Sequence, residues 1–382
     1  MKIIHNTDIW LPLTQTWVYT QIKCLPEDFD VEVACEKTEN LNQFSNVKTI
    51  HCLQHRCSQV EYFVRYALFK TRFRRSMGWL KKPLCEFNPD LIHSHFGNVG
   101  WASLPEIKNS VPHVVSFYGY DLSMLPRTNP KWKKRYKELF NKVAVVLCEG
   151  EHMASCIEDL GCSPKKIHIQ RIGVLLDRIT YKPRIWNKNE TLHILLAGRF
   201  TEKKGFPYAL SALAKLSKDL PLAITIIGDA GVTEADQNEK NIMIKAIDDG
   251  NITGKVKFLG YQPYKVLFEE AYKHHIFLSP SVTAANGDTE GGAPVSIIEM
   301  ASTGMPVVST KHCDIPRVIL DGQTGLLADE RDVNGLYESL IWLLSNTEKW
   351  RVMLDRCRAH MEEDFDAYKQ GKKLADIYKK FA

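Results

Sequence analysis

The amino-acid sequence predicts an α/β fold with two parallel sheets, each in its own domain. Short apolar runs alternate with helical periods along the whole chain, which is typical of parallel strands joined by crossover helices. The series of strands begins afresh near the middle, after a polar stretch without a period. The 382 residues are also long for one ordinary domain and suit two.

Strands are predicted in both halves of the chain. In the first half they are Lys2–Ile4, Val31–Cys35, Leu91–His93, His113–Phe117, Val143–Cys148 and Ile167–Ile169. In the second half they are Leu192–Ala197, Ala223–Ile227, Val256–Leu259, Ile276–Ser279, Pro306–Ser309 and Gly325–Leu327. Residues 177–190 are polar and contain Pro183, so we interpret them as a linker with a boundary near residue 180. The predicted domains are therefore 1–180 and 181–364, followed by a strongly helical tail.

Composition places the chain among folded globular proteins. Apolar residues make up 44% and charged residues 25%, which excludes wholesale disorder and fibrous character. No apolar run approaches the roughly 18 residues of a membrane span, and the N-terminus lacks the apolar core of a secretory signal. We therefore expect a cytoplasmic location. The ten cysteines include no CxxC, so buried thiols are expected, with a disulfide or metal framework as the alternative.

Positive charge is concentrated in the first half. Residues 1–180 contain 24 Lys and Arg against 18 Asp and Glu, a net +6, whereas 181–382 contain 26 against 27, a net −1. The stretch from Tyr62 to Leu84 holds many aromatic residues and seven basic ones, with no acid between Glu61 and Glu86. Its basic residues are Arg65, Lys70, Arg72, Arg74, Arg75, Lys81 and Lys82. A solvated surface helix and an amphipathic helix on anionic membrane both fit. Nucleic acid could use the same patch but is disfavoured, because the net charge of the whole chain is modest and no nucleic-acid module accompanies the patch.

Three strand-to-helix junctions in the second half carry the candidate chemistry. In LLAGRFTEKKG, Arg199 and Lys204 can close on a diphosphate near a helix N-terminus, although a solvated lysine-rich turn would read the same way. In AITIIGDAG, a buried strand ends at Gly228 and Asp229, where glycine permits close approach of a ligand. In DTEGGAPVSIIE, a glycine-rich loop enters a helix, and Glu299 can accept two ribose hydroxyls.

A metal site is not predicted. His93 and His95 are two residues apart on a strand and share one face, but no motif places a third ligand beside them, so structural or acceptor-lining roles are favoured. No acidic pair suited to a nucleotide-bound divalent ion stands out. We therefore expect no metal and no cofactor, with Mg²⁺ dispensable because cationic side chains can neutralise a diphosphate.

Together these segments resemble the retaining glycosyltransferases of family four, which have the GT-B fold and use nucleotide sugars. The resemblance covers nearly the whole chain. It rests on LPLTQTWVYTQIKCL near the N-terminus, HSHFG at 93–97, SFYGYDLS at 116–123 and EGGAPVSIIEMASTGMPVVST at 290–310, of which the last is the most specific. These motifs look like the branch that builds bacterial exopolysaccharide and capsule repeat units.

The resemblance implies roles for individual residues. The implied catalytic residues are Tyr118, Asp121, Arg199, Lys204 and Glu290. The implied donor-binding residues are Gly198, Arg199, Lys204, Gly228, Asp229, Glu290, Gly291, Gly292, Ala293, Pro294, Val295, Ser296 and Glu299. Acceptor binding is implied for Thr16, His95 and Tyr118. In this pattern Arg199 and Lys204 bind the diphosphate, Glu299 the ribose and Glu290 the donor sugar.

Two positions depart from the family pattern. The spacing between Glu290 and Glu299 is one residue longer than usual, because the loop reads EGGAP. Tyr118 stands where the family often has histidine, while Gly119 and Asp121 still match. A tyrosine can donate a hydrogen bond, but its pKa near 10 makes it a poor proton shuttle at neutral pH.

The resemblance completes the expected picture. It implies two Rossmann-like domains facing across a cleft, an acceptor domain at 1–180 joined by the helix at about 365–382, and a donor domain at 181–364. The expected reaction is retaining transfer of a sugar from a UDP- or GDP-linked donor to a hydroxyl of a polyprenyl-diphosphate-linked glycan, at the inner face of the membrane. The alternative is a sugar-nucleotide-binding subunit without activity. A dinucleotide-dependent oxidoreductase is disfavoured, because no GxGxxG follows a first strand.

Overall fold

A computed structural model describes residues 1–12, 16–41, 47, 49–71, 73–108 and 111–382. It divides into two compact units. The N-terminal unit comprises Met1–Val174 and Asp366–Ala382, and the C-terminal unit comprises Leu175–Phe365. The sequence had placed the boundary near residue 180; in the structure the chain changes unit after Val174 and returns after Phe365.

The N-terminal unit is built on a seven-stranded parallel sheet in the order β3-β2-β1-β4-β5-β6-β7. Its strands are β1 (Lys2–Trp10), β2 (Asp30–Thr38), β3 (Thr49–Cys52), β4 (Leu91–His95), β5 (His113–Ser116), β6 (Val145–Cys148) and β7 (Ile167–Ile169). Its first helices are α1 (Thr16–Lys23), α2 (Leu53–Arg56), α3 (Gln59–Lys70), α4 (Lys81–Phe87), α5 (Gly97–Ser103), α6 (Gly119–Ser123), α7 (Leu125–Thr128), α8 (Lys131–Lys142) and α9 (Glu151–Asp159).

The C-terminal unit is built on a six-stranded parallel sheet in the order β10-β9-β8-β11-β12-β13. Its strands are β8 (Leu192–Ala197), β9 (Leu222–Ile227), β10 (Val256–Gly260), β11 (Ile276–Ser279), β12 (Val307–Thr310) and β13 (Leu326–Ala328). Its helices are α10 (Phe206–Leu216), α11 (Glu234–Asp249), α12 (Tyr264–Ala271), α13 (Val295–Ser302), α14 (Ile315–Val318), α15 (Val333–Ser345) and α16 (Trp350–Asp364). Short 3₁₀ turns occur at Pro164–Lys166, Leu176–Arg178, Glu202–Lys204, Thr253–Lys255 and Thr347–Lys349.

The last helix, α17 (Ala367–Phe381), belongs to the N-terminal unit. Its buried face includes Leu374 and Tyr378, which pack in one apolar cluster with Ile3 of β1 and Leu91 of β4. The Tyr378 hydroxyl also lies 2.6 Å from His93 Nδ1. The C-terminal segment therefore completes the core of the unit that begins the chain.

Every predicted strand is present, but β1 is longer than predicted and β3 was missed. The predicted end of β1 at Ile4 was wrong, because the following polar residues His5, Asn6 and Thr7 are buried in the sheet rather than in a loop. Asn6 Nδ2 donates to Ser94 Oγ at 2.7 Å, so its burial is compensated. β3 is an edge strand of four residues, too short to show an alternating pattern.

The segment interpreted as a linker is packed against the C-terminal unit. It lacks regular secondary structure around Pro183, but Arg184 is only 6% exposed and Trp186 lies in the apolar core. The Arg184 guanidinium donates to the carbonyls of His274 and Ala271 at 3.0 and 2.8 Å. These bonds satisfy the buried guanidinium and hold the segment in place. Residues 177–190 therefore belong to the C-terminal unit.

The basic aromatic stretch divides into an exposed part and a buried part. Helix α3 has no buried residue, and Phe63 is 70% and Phe73 83% exposed. Trp79 and Leu80, which the sequence grouped with them, are buried in the core. Arg72 lies outside the described residues.

Two further features bear on the sequence predictions. None of the ten cysteines, all of which lie in the described ranges, is in a disulfide, and six of them are buried: Cys24, Cys35, Cys52, Cys148, Cys162 and Cys357. Among the described residues, no helix combines the length and apolar character that crossing a membrane requires.

Candidate functional site

Two loops touch at the carboxyl end of the C-terminal sheet. Gly198 follows β8 and Gly228 follows β9, and a Cβ on Gly228 would lie 1.9 Å from the carbonyl oxygen of Gly198. Since Gly228 also has φ of +123°, only glycine fits this approach. Open parallel sheets bind ligands at this end of their strands. Arg199 is exposed here, and within the described ranges its guanidinium is paired with no carboxylate.

Lys204 and Glu290 form an ion pair beside these loops. Lys204 Nζ lies 2.8 Å from Glu290 Oε1, and Ser281 Oγ donates to the same oxygen at 3.0 Å. Burial would raise the pKa of Glu290, but the charges of Lys204 and Lys203 outweigh it and lower the pKa to about 2. The structure therefore brings together the predicted diphosphate cation and the predicted sugar-binding carboxylate.

Gly205 determines where Lys204 lies. Its φ of +63° is left-handed, and a Cβ there would lie 1.9 Å from the carbonyl oxygen of Pro280. The turn that ends at Gly205 leads directly into α10. A side chain at this position would push the lysine-bearing turn away from β11.

Lys203 anchors the loop that carries Glu290. Its ammonium lies 3.1 Å from Asp288 Oδ2 and donates to the carbonyl of Thr289 at 3.0 Å. The two adjacent lysines thus have different partners, which the sequence alone did not distinguish.

A buried histidine holds the backbone of Glu290. The Glu290 N–H donates to His312 Nε2 at 3.1 Å, and His312 Nδ1 lies 2.6 Å from Glu330 Oε1. Because a backbone N–H can only donate, Nε2 is the acceptor and Nδ1 carries the proton given to Glu330. The Glu330 carboxylate also accepts from the Thr283 N–H at 2.7 Å. This chain fixes the start of the EGGAP loop.

Glu299 lies on α13 and is 7% exposed. The Tyr264 hydroxyl, on α12, donates to Glu299 Oε1 at 2.7 Å. Burial raises the pKa of Glu299 to about 7, although the tyrosine hydrogen bond opposes the shift. The carboxyl group is therefore poised to change charge near neutral pH.

The loop before α13 offers fewer backbone donors than its length suggests. The Gly291 N–H donates to Thr289 Oγ1 at 3.2 Å, and Pro294 has no N–H. Val295 and Ser296 begin α13, so their N–H groups have no partner within the helix. Gly292 is buried and Ala293 half-buried. The first turn of α13 is thus the best anion-facing part of the predicted set.

Asp229, in the loop after β9, forms an ion pair with Lys240 of α11. Its Oδ1 lies 2.7 Å from Lys240 Nζ and accepts from the Ala230 N–H at 2.7 Å. The Lys240 hydrogen bond is the main cause of the lowered pKa of Asp229. The Tyr261 hydroxyl donates to the Asp229 carbonyl at 2.9 Å, so this loop is held on both sides.

In the N-terminal unit, Asp121 joins the loops that follow β4 and β5. Its two carboxylate oxygens accept from the N–H groups of Gly97 and Tyr118 at 2.6 and 2.8 Å. Asp121 is fully buried, and burial raises its pKa to about 7. Its geometry suits positioning of Tyr118 better than contact with a substrate, so its predicted catalytic role stays a prediction.

Tyr118 lies at the start of α6 against aromatic and imidazole rings. Its hydroxyl is 2.8 Å from His95 Nδ1, and its ring centroid is 5.7 Å from that of Trp17. Thr16, the residue before Trp17, begins α1. The predicted acceptor-binding residues His95 and Tyr118 are therefore in contact, and Thr16 is next to a residue that contacts Tyr118.

A third imidazole joins His93 and His95. His5 on β1 is the register partner of His93, and one ligand atom from each of the three buried residues lies within 4.8 Å of the others. The sequence placed no third residue here, because His5 is distant along the chain. The group could hold a metal ion by its donor atoms, but both ring nitrogens of His93 and of His95 already make hydrogen bonds.

The two parallel-sheet units have the architecture of the GT-B fold, and Lys204 pairs with Glu290 beside the strand ends of the second. The family model "Glycosyl transferases group 1" matches residues 178–359, and "Glycosyltransferase Family 4" matches residues 14–178. The amylovoran biosynthesis glycosyltransferase AmsK of Erwinia amylovora is 32% identical over 79% of this chain and 72% of its own length. The chain belongs to glycosyltransferase family 4 and is a glycosyltransferase.

Solved structures show the same fold. Sucrose-phosphate synthase from Thermosynechococcus elongatus aligns with a TM-score of 0.77 at 16% identity, covering 100% of this chain and 99% of that one. HepE of Anabaena in complex with UDP-glucose aligns with a TM-score of 0.72 at 16% identity over 100% of both chains. The predicted family and fold are confirmed.

Sequence reasoning missed several residues that surround the predicted ones: Lys203, Tyr264, Ser281, His312 and Glu330. Each of them reaches its partner from a different element of the C-terminal unit. Lys203 had a weak signal, since it belongs to the lysine pair at 203–204. The others carried none, because spacing along one segment cannot show which loops meet.

Proposed function

We propose that the protein transfers a sugar from a nucleoside diphosphate sugar to a hydroxyl of a lipid-linked glycan, with the anomeric configuration kept. The observation that carries the proposal is the Lys204–Glu290 pair beside exposed Arg199. A diphosphate needs cations and a sugar needs hydroxyl acceptors, and this arrangement offers both at one strand end.

Donor binding uses the C-terminal unit. Arg199 and Lys204 bind the diphosphate oxygens, Glu290 accepts from donor-sugar hydroxyls, and Glu299 accepts from the two ribose hydroxyls. The first turn of α13 adds backbone N–H groups and the positive end of a helix. HepE, which shares the fold, is described in complex with UDP-glucose, which supports a uridine donor; a guanosine donor is the other candidate.

Charge balance explains why Lys204 is paired in the donor-free protein. A buried ammonium without a counter-charge is costly, and Glu290 supplies that charge. When the diphosphate binds, it becomes the counter-charge of Lys204 and leaves Glu290 free to accept from sugar hydroxyls. As the glycosidic bond breaks, Arg199 and Lys204 stabilise the negative charge on the leaving diphosphate. We therefore propose transfer without a metal ion.

The acceptor uses the N-terminal unit, near Thr16, His95 and Tyr118. The leaving diphosphate takes the proton of the acceptor hydroxyl on the face it departs from, so the new bond forms on the same face. This route needs no protein base, which fits tyrosine at position 118. Product anomers resolved by ¹H NMR test it: an inverted configuration would discard the retaining mechanism.

A thermal-shift panel tests the donor class. UDP, GDP, ADP and NAD are each added with Mg²⁺ and with EDTA. A ligand at about 100 times its Kd adds about 2.7 kcal/mol of apparent stability, enough to raise Tm by several degrees. We expect UDP or GDP to stabilise the protein equally with Mg²⁺ and EDTA. A shift with NAD alone would contradict the donor assignment, and a shift only with Mg²⁺ would contradict metal independence.

We place the reaction in bacterial surface polysaccharide synthesis at the inner face of the membrane. AmsK is named for the biosynthesis of amylovoran, which supports a polysaccharide product. Helix α3 presents exposed Val60, Phe63 and Val64 one turn apart, and Phe73 follows it. Arg74 directly follows Phe73 in the sequence, and Lys70 is three residues before Phe73. An apolar face with flanking cations suits an anionic membrane surface, where lipid-linked acceptors are found.

Neutralising Lys70, at the end of α3, and Arg74, which follows the helix, is expected to weaken membrane binding. Each Lys or Arg near an anionic surface contributes about 1 kcal/mol, so Lys70→Gln/Arg74→Gln should bind phosphatidylglycerol vesicles about 30-fold more weakly. Arg75 is left unchanged, because it pairs with Glu138 at 2.6 Å. Co-sedimentation measures the effect.

The matched control is Lys133→Gln/Lys134→Gln on α8, where both lysines are exposed. It removes the same charge elsewhere on the N-terminal unit and should bind vesicles like the parent. Equal vesicle binding by both double variants would remove α3 as the membrane contact. Nucleotide binding should be unchanged in both.

A further inference from the structure

Buried imidazoles line one face of the N-terminal sheet behind Tyr118. His5 lies on β1, and His93 and His95 lie on β4, with ring centroids 4.4 to 5.2 Å apart. All three side chains are buried. The proposed chemistry places the acceptor near Tyr118 and His95 but gives the hydrogen bonds among these imidazoles no role.

Hydrogen bonds connect two of these imidazoles to Tyr118 in a line. His5 Nδ1 lies 2.9 Å from His95 Nε2, and His95 Nδ1 lies 2.8 Å from the Tyr118 hydroxyl oxygen. Both nitrogens of His95 are therefore used, one toward each neighbour. Whatever fixes the proton on His5 also fixes the direction of the hydrogen bond at Tyr118.

Burial keeps this line electrically neutral. It lowers the pKa of His95 to about 3 and that of His5 well below its usual range, and it raises the pKa of Tyr118. Moving the Tyr118 proton onto His95 would create two buried charges, which both shifts oppose. The line therefore orients protons rather than transferring them, and each imidazole carries one N–H and one lone pair.

The Nε2 nitrogen of His5 determines the direction of the hydrogen bonds from His5 to Tyr118. His5 Nε2 is buried and has no hydrogen-bond partner among the described residues. An orphaned buried N–H is rarer than an orphaned acceptor, so Nε2 holds the lone pair and Nδ1 the proton. His5 then donates to His95 Nε2, and His95 Nδ1 donates to the Tyr118 oxygen. Tyr118 then keeps its own hydrogen to donate. Of the two other side chains that interact with its oxygen, the Trp17 indole can only donate, whereas the Ser116 hydroxyl can also accept.

We propose that His5 and His95 form a tautomer-locked pair that makes Tyr118 a hydrogen-bond donor to bound substrate, with His95 as the positioning residue. The ligand class is a hydroxyl oxygen of the acceptor, which the proposed function places near Tyr118. The proposal rests on the proposed function, because it takes Tyr118 to contact substrate.

The tautomers are tested without any activity measurement. In protein labelled with ¹⁵N-histidine, long-range ¹⁵N–¹H spectra show which ring nitrogen carries the proton, and His95→Asn assigns the His95 signals by their loss. We expect both His5 and His95 to be protonated on Nδ1 and neutral at pH 7. Protonation of His95 on Nε2 would overturn the proposal.

Substitutions test the consequence for transfer. The amide nitrogen of asparagine can occupy the place of Nδ1 and donate to Tyr118, whereas leucine cannot. We expect His95→Leu to lower kcat about 30-fold, as for the loss of one oriented hydrogen bond, and His95→Asn to recover most of that loss, with UDP or GDP affinity unchanged in both. Equal loss in the two variants would show a packing role and overturn the proposal.

Tyr118→Phe separates this proposal from the proposed function. If Tyr118→Phe transfers sugar as fast as the parent, Tyr118 donates no useful hydrogen bond, and the proposal fails while transferase activity stands. If the parent protein transfers no sugar from any nucleotide sugar, the proposed function fails, and the NMR tautomers still decide the direction of the His5–His95 bond.

Discussion

Replacing Lys204 with methionine is expected to lower kcat/KM for the donor by about 100- to 1,000-fold, because it removes one of the two cations that we propose stabilise the leaving diphosphate. Lys204 is held beside Glu290 at 2.8 Å by the turn that ends at Gly205. Lys204→Arg keeps the positive charge but enlarges the side chain, so its kcat/KM should fall less than that of Lys204→Met. Steady-state kinetics with donor varied at saturating acceptor measures the effect.

Stability must be separated from catalysis in this test. Lys204→Met leaves the Glu290 carboxylate buried without its cation, and breaking such a pair costs about 3 to 5 kcal/mol. Lys204→Met/Glu290→Gln removes both charges and should recover most of the unfolding free energy measured in urea, but not the activity. Lys265→Met, at an 87% exposed side chain, is the matched control. A double variant with parental kcat/KM would contradict the role of Lys204.

Glu299→Gln is expected to loosen UDP or GDP binding about 100-fold, the second large effect. An ionised carboxylate accepts both ribose hydroxyls, whereas the amide offers one acceptor and one donor, leaving a buried polar group mismatched. Isothermal titration calorimetry measures the change. Tyr264→Phe is the matched comparison: it removes the hydroxyl that lies 2.7 Å from Glu299 Oε1 but keeps the carboxylate, so its loss should be smaller.

The same residue predicts a pH dependence with a definite sign. Burial raises the pKa of Glu299 to about 7 in the donor-free protein, and only the ionised form accepts both hydroxyls. Nucleotide affinity should therefore be constant above pH 8 and fall about tenfold per pH unit below about pH 6.5. In Glu299→Gln this dependence should disappear. A parental profile in the variant would assign the titration to another group.

Linkage gives the opposite trend for the stability of the donor-free protein. Because the folded-state pKa of Glu299 lies above its ordinary value of 4.5, the folded state binds the proton more tightly than the unfolded state. The contribution of this group is present below about pH 4.5, is lost as pH rises to about 7, and stays lost above it. Nucleotide binding thus favours the ionised form of Glu299, which burial disfavours in the absence of nucleotide.

Local sequence was sufficient for the architecture. Strands such as Leu192–Ala197 and Ile276–Ser279 are apolar because both faces of a parallel sheet are covered, and that run is visible within one segment. The GRFTEKKG and EGGAPVSIIE motifs were equally visible, because a strand end, glycines and a helix start follow one another along the chain. Family, fold and the identity of the main donor-site candidates could therefore be predicted.

Only the tertiary structure decided which side chains meet. His5 joins His95 across 90 residues, and His312 holds the backbone of Glu290 across 22. The polar end of β1 was not predicted as strand, because nothing nearby in sequence shows that Ser94 and Trp79 satisfy Asn6. The sequence determined which residues are available for binding and catalysis. The tertiary structure determined the charge state of these residues and the direction of their hydrogen bonds, because burial and hydrogen-bond partners come from distant segments that folding brings together.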